Sequence, residues 1–149
     1  MAVCEVLQFG NPVLRTPCRP VGKEGPDCQV LKDLQETLKY LQRIHELGRG
    51  LAAPQIGHQV RVIYIHTPVR ESFLINPEMF EIMDGCFSTA LAFFGPVKRH
   101  RWVEVHYCDQ DMNQHQEFFH EDMSELIQHE VDHLDGILFI DRLSDPSRI

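Results

Sequence analysis

Residues 129–133 read HEVDH, and no other stretch constrains the chain so tightly. Two histidines four positions apart leave the same face of an α-helix, one turn from each other. Met123, Leu126, Ile127, Val131 and Leu134 recur at helical spacing around them, which predicts a helix over 121–134, ended by Asp135-Gly136. One metal ion can bridge two imidazoles so placed. Glu130, beside the first, can then reach a water on the ion and carry its proton. The competing reading is a chance polar cluster, since the chain holds nine histidines. His45, His58, His66, His100, His106, His115 and His120 have no such context and read as surface or strand residues.

Two imidazoles do not complete a site, because a catalytic zinc or iron takes a third protein ligand and keeps one position open. Downstream the chain reads HEVDHLDGILF, with Phe139 where one protease pattern has its third histidine, and phenylalanine binds no metal. Too few residues follow for a distant glutamate, so the third ligand is sought upstream. Cys86, in the glycine-flanked DGCFS, is the candidate. Taken alone it reads as a small buried apolar residue. Thiolate with two imidazoles suits Zn²⁺, Fe²⁺, Co²⁺ or Ni²⁺ and excludes Mg²⁺ and Ca²⁺.

The remaining pattern predicts the frame. Residues 11–28 are rich in Pro, Gly and Asp and read as loop. Val30, Leu31, Leu34, Leu38, Leu41 and Ile44 predict a helix over about 30–47, capped by Asp27 and stopped by Gly48. GRGLAAPQIG (48–57) reads as a loop of small residues. Strands are expected at 60–66, 71–77 and 79–83, the second closed by Asn76-Pro77. Residues 84–96 read as loop or irregular strand, 97–109 as a strand from Trp102 on, 110–113 as a turn and 114–120 as its hairpin partner. Strands and helices do not alternate as in parallel units, so the expected class is α+β: one domain over 1–149, a mainly antiparallel sheet around a late metal-binding helix.

The formal net charge of -8 argues against a nucleic-acid backbone or an anionic membrane as main partner. No apolar stretch reaches the roughly 20 residues of a membrane span, and the start shows no secretory or transit signal, so the expected location is the cytoplasm. The five cysteines include no C-x-x-C pair, which argues against a disulfide scaffold.

GRGLAAPQIG, DGCFS and QHEVDH, in this order, resemble the three motifs of the peptide deformylases. The opening VLQFGNPVLR and closing DGILFIDRLS extend the likeness over nearly the whole chain. The resemblance implies a metal-dependent hydrolase that removes the formyl group from the N-terminal formylmethionine of nascent proteins, with transient ribosome contact. It implies one ion per chain, usually Fe²⁺ and often replaced by Zn²⁺, Ni²⁺ or Co²⁺, on Cys86, His129 and His133. Glu130 would be the general acid/base, with Gln55 and the backbone N–H of Phe87 as the oxyanion hole. Gly50, Asp84, Asp122, Glu125 and Leu126 would line the substrate cleft.

The second motif departs from the family pattern. Asp84 stands for a glutamate and Phe87 for a leucine, and TALAFFGP replaces the usual Val-Pro-Gly after Ser88. Asp122 and Glu125 precede His129 by seven and four and share its helix face. They either line the pocket or turn to solvent at the first turn, where acids suit the dipole. Three alternatives to a deformylase remain: a related amidase with another N-formyl or N-acyl substrate, a non-catalytic homologue, and an ordinary zinc protease.

Overall fold

Val62, Ile63, Tyr64 and Ile65 form an unbroken apolar run, and a strand built this way needs cover on both faces. A computed structural model of the chain provides both covers. It describes residues 3–7, 10–46, 48–81, 86–90, 96–138 and 141, with 81, 86–90 and 96–98 described as backbone. The elements are α1 (Cys28–His45), β1 (Gly50–Ala52), β2 (Val62–Thr67), β3 (Arg70–Glu81), β4 (Cys86–Ala90), β5 (Pro96–His100), β6 (Trp102–Cys108), β7 (Gln114–His120) and α2 (Glu121–Leu134). Short 3-10 turns cover Pro12–Arg15 and Ala53–Ile56.

Five strands form an antiparallel sheet in the order β1-β2-β3-β6-β7, and β4 pairs with β5 in a separate two-stranded sheet. Ile63 and Ile65 pack with Leu74, Val103, Val105 and Phe119 against Leu126, Ile127, Val131 and Leu134 of α2. Val62 and Tyr64, on the opposite face, pack with Leu51, Ile56 and Ile75 against Val30, Leu34 and Leu38 of α1. The pleat of one strand thus serves two cores. On β6 only Val103, Val105 and Tyr107 are buried, so the two-residue alternation there marks a sheet with one wet face. The expected α+β class, with its antiparallel sheet and late helix, is the observed one.

Several boundaries differ from the sequence-based expectation. The strands expected at 71–77 and 79–83 are joined over the described residues in one strand, β3, which runs through Asn76-Pro77 by a bulge between Ile75 and Glu78; residues 82 and 83 lie outside the described residues. Asn76 takes φ 52 there, and its side chain accepts from Val21 N at 2.8 Å and donates to Val21 O at 2.9 Å. At a bulge the ladder is already interrupted, so the N–H that proline lacks is not missed. The 48–57 loop holds strand β1 and a 3-10 turn, its small residues admitting α2 rather than breaking structure. The 97–109 strand is two, because Arg101 carries the chain from the small sheet to the large one. Finally, α1 ends at His45, two residues early, with Glu46 at φ 54 closing it before Gly48. Asp27 does cap α1, accepting from Gln29 N at 2.8 Å.

Among the described residues Cys4, Cys18, Cys28 and Cys108 form no disulfide. Among the described residues no helix is long and apolar enough to cross a membrane.

Candidate metal centre and cleft

The apolar stripe of α2 sets the helix's rotation on the sheet, and its end is pinned. Arg61 donates to Leu134 O at 3.2 Å and pairs with Asp135 at 2.9 Å. Gly136 follows at φ +73, where an added Cβ would meet Arg15 O at 2.6 Å, so only glycine fits.

So held, His129 and His133 turn their Nε2 atoms to each other at 3.3 Å, the rings edge-to-face at 88°. Two nitrogens each about 2.0–2.1 Å from a tetrahedral ion stand roughly 3.3–3.4 Å apart. Burial, then the charges of His133, Arg99 and Arg49, holds the His129 pKa down at about 3. Burial holds His133 at about 4, with Asp132 working against it. Both imidazoles are therefore neutral near pH 7, the form that binds metal. The donor pair fits a divalent ion of the zinc and iron kind.

Glu130 is 3% exposed, and its Oε2 has no hydrogen-bond partner among the described residues. Burial pushes its pKa up to about 8, with the charge of Arg49 pulling the other way. A buried carboxyl oxygen without a partner among the described residues is costly to keep, which points to a chemical rather than a structural role.

His129 and Glu130 open onto a cleft of about 340 Å³ between α1, β1 and α2. Leu38, Leu41 and Leu51 make its apolar wall; Gly50, Gln55, Glu125, Leu126, His129 and Glu130 line it as well. A Cβ on Gly50 would stand 3.2 Å from Leu126 Cδ1 and 3.4 Å from Glu130 Oε1, so glycine lets the β1 backbone lie against the glutamate. Gln55 Oε1 accepts from Ala52 N at 2.9 Å. A backbone N–H demands an acceptor, so the oxygen is the end held on Ala52 and Nε2 is the end left as donor. Gln55 both braces its turn and presents a donor.

The structure thus gathers His129, His133, Glu130, Gln55, Gly50, Glu125 and Leu126. It separates Asp122 from them: that residue is exposed in the first turn of α2 and is not among those lining the cleft. An acid suits the helix dipole there. Asp84 and the side chains of Cys86 and Phe87 lie outside the described residues; the backbones of Cys86 and Phe87 open β4. Among the described residues no group of three or more His, Cys, Asp or Glu gathers at one metal-sized point.

The family model of the polypeptide deformylases matches residues 3–148. The chain belongs to that family. It is similar to the peptide deformylase of Heliobacterium modesticaldum, 36% identical over 97% of both chains. The peptide deformylase of Acidothermus cellulolyticus is 38% identical over 99% of this chain and 83% of that protein. Among solved structures, the Thermotoga maritima peptide deformylase matches with a TM-score of 0.84 at 30% identity, over 96% of this chain and 99% of that one. A class I type b peptide deformylase from Acinetobacter baumannii, solved with Met-Ala-Ser bound, matches with a TM-score of 0.84 at 26% identity, over 96% of this chain and all of that one.

This deformylase has two further residues at the site that its spacing does not announce. Arg99, 3% exposed, lines the cleft and donates to Asp132 at 2.7 Å. Gln128 holds both backbone groups of His100. Gln128 was visible as the residue opening QHEVDH; Arg99 falls in the 97–109 stretch, where no motif singles it out.

Proposed function

We propose that this chain removes the N-formyl group from the N-terminal formylmethionine of nascent proteins, in the cytoplasm and in passing contact with the ribosome that carries them. The observation that carries the reading is the pair of buried imidazoles with Nε2 atoms 3.3 Å apart and, beside them, a buried Glu130 whose Oε2 has no partner among the described residues, in a member of the deformylase family. One ion per chain is held by His129 and His133 with Cys86 as third ligand. The donor set suits Fe²⁺ and accepts Zn²⁺, Ni²⁺ or Co²⁺ in its place.

When bound, the ion supplies Lewis acidity and brings the pKa of a water toward 7. The residues do the rest. Glu130 takes a proton from the attacking water and returns it to the leaving amine. Its raised pKa places it near the working pH, and a cation nearby brings it lower. Gln55 Nε2 and the N–H of Phe87 hold the oxygen of the formyl carbon as it gains charge, a contact worth roughly 3–4 kcal/mol per donor. β1 is the last strand in its sheet, and the cleft runs along it, so an extended peptide can add to its edge. Leu126, with Asp84 from the DGC segment, then meets the methionine side chain. The Acinetobacter relative solved with Met-Ala-Ser supports a peptide of that length in this cleft.

Turnover of formyl-Met-Ala-Ser by protein prepared without air and loaded with Fe²⁺ tests the reading. Release of formate that disappears in Glu130→Gln supports it; no release from protein that binds one ion per chain rejects the substrate. Glu125 in the cleft favours one second reading, a related amidase acting on an N-formyl amine with a more polar side chain. Preference for formyl-methionyl over formyl-glutaminyl peptides excludes it.

A further inference from the structure

Cys86 and the two histidines stand on different elements that share no strand ladder. Cys86 opens β4, with its Cα opposite that of His100 at the end of β5, and the β4–β5 sheet is separate from the five-stranded one. A two-stranded sheet is marginal by itself. Yet a metal site tolerates only about 0.2 Å in its ligand distances. Something must fix this sheet on α2.

Side chains make the link at two points. Gln128 accepts from His100 N with its Oε1 at 2.8 Å and donates Nε2 to His100 O at 2.7 Å; Ser124 Oγ donates to the same carbonyl at 2.7 Å. The neighbouring Arg99 donates Nη1 to Asp132 Oδ2 at 2.7 Å, both side chains at most 5% exposed. Gln128 precedes His129, and Asp132 precedes His133. On the other side, Arg99 and His100 face Phe87 and Cys86 in the ladder. Each of two adjacent β5 residues is therefore tied both to a residue beside a histidine and to the strand that carries the cysteine.

Stability alone does not account for this arrangement. A buried ion pair adds little over apolar side chains of the same volume. Here Arg99 also leaves Nε and Nη2 without a hydrogen-bond partner among the described residues, a desolvation cost that an apolar residue would avoid. We propose that Arg99 and Gln128 are positioning residues that lock the β4–β5 sheet to α2 and so fix the span from Cys86 to His129 and His133; this rests on the reading of Cys86 as the third ligand.

Co²⁺ binding tests it, read as affinity and as the near-ultraviolet charge-transfer band of a cobalt thiolate. In the wild-type protein the band is present, and Cys86→Ser abolishes it and weakens binding. Arg99→Met and Gln128→Met each weaken Co²⁺ binding about 10–100-fold and reduce the band. Arg99→Met paired with Asp132→Leu, which removes both charges of the pair, gives the same loss if the single variant does not fold. The deciding arm repeats these substitutions in Cys86→Ser, where a residue acting through Cys86 has nothing left to act on and affinity falls no further. Equal losses in both backgrounds, or full affinity and band in the variants, overturn the proposal. If the wild type lacks the band and Cys86→Ser binds as tightly, Cys86 is not a ligand, and the proposal falls with that reading.

Discussion

Glu130 concentrates the chemistry of this chain in a single group. A carboxyl whose pKa rises from 4.5 to about 8 on burial is a liability to folding and an asset to proton transfer. Its folded pKa lies above the unfolded one, so the neutral form is fully accommodated below pH 4.5 and the penalty grows as pH rises through 8. Glu130→Gln in the metal-free protein is therefore expected to raise the melting temperature at pH 8 and leave it nearly unchanged at pH 4.5. The same variant keeps its metal and loses turnover by roughly 10²–10⁴-fold; near-normal formate release would remove Glu130 from the mechanism. Asp122 and Glu125 make a second residue-level contrast. Glu125→Leu lowers KM for formyl-methionyl peptides, because a half-buried acid leaves the cleft, whereas Asp122→Leu at the surface does not change it. Equal effects from both would put Asp122 back in the cleft.

At the scale of elements, α2 depends on how it is held at each end as much as on its apolar stripe. Glu121 N donates to Arg101 O at 2.9 Å at one end, where the chain passes from the small sheet to the large one. At the other end Gly136 leaves the helix in a conformation that a side chain resists, against Arg15 O. Gly136→Ala is expected to cost roughly 1–3 kcal/mol in urea unfolding, from the left-handed backbone alone, and more from the clash. A midpoint unchanged from the wild type would mean that the turn can open elsewhere. Gly50→Ala acts differently. Its backbone is unstrained and its neighbours are the Leu126 tip and the Glu130 side chain at 3.2–3.4 Å, so stability changes little while kcat/KM falls. A fall in stability without one in kcat/KM would refute the close approach of β1 to Glu130.

Across the whole molecule, acid works against the site and the scaffold in the same direction. His129 and His133 have folded pKa values near 3 and 4, below the unfolded 6.5, so the support of their neutral forms is present above pH 6.5 and lost as pH falls below it. Glu71, held at about 2 by the Tyr64 hydroxyl, Gln35 and Lys39, and Glu117, lowered by Arg70, lose their support as pH falls through the carboxylate range. Acid titration is thus expected to leave the metal bound until pH falls toward about 4, where the folded histidines begin to protonate; release near pH 6 from a still-folded protein would mean that the two imidazoles are not held in a buried site. The sequence by itself determined the local parts of this design. Period 3.6 marked α1 and α2, period 2 marked β6, a turn marked β7 as its hairpin partner, and the four-residue step of HEVDH brought two nitrogens together, because each of these signals is local. Cys86 was reached from the sequence only as a vacancy to be filled, since nothing local relates it to a helix so far along the chain. The continuity of β3 was hidden because Asn76-Pro77 reads as a terminator until Val21, more than fifty residues away, satisfies the asparagine. The roles of Arg99 and Gln128 were hidden for the same reason: the first falls in a strand with no motif and the second is one more motif residue until β5 is laid on α2. Side-chain type and spacing fix what a segment can become, but a partner brought from a distant segment depends on how the layers stack, and that only the tertiary structure decided.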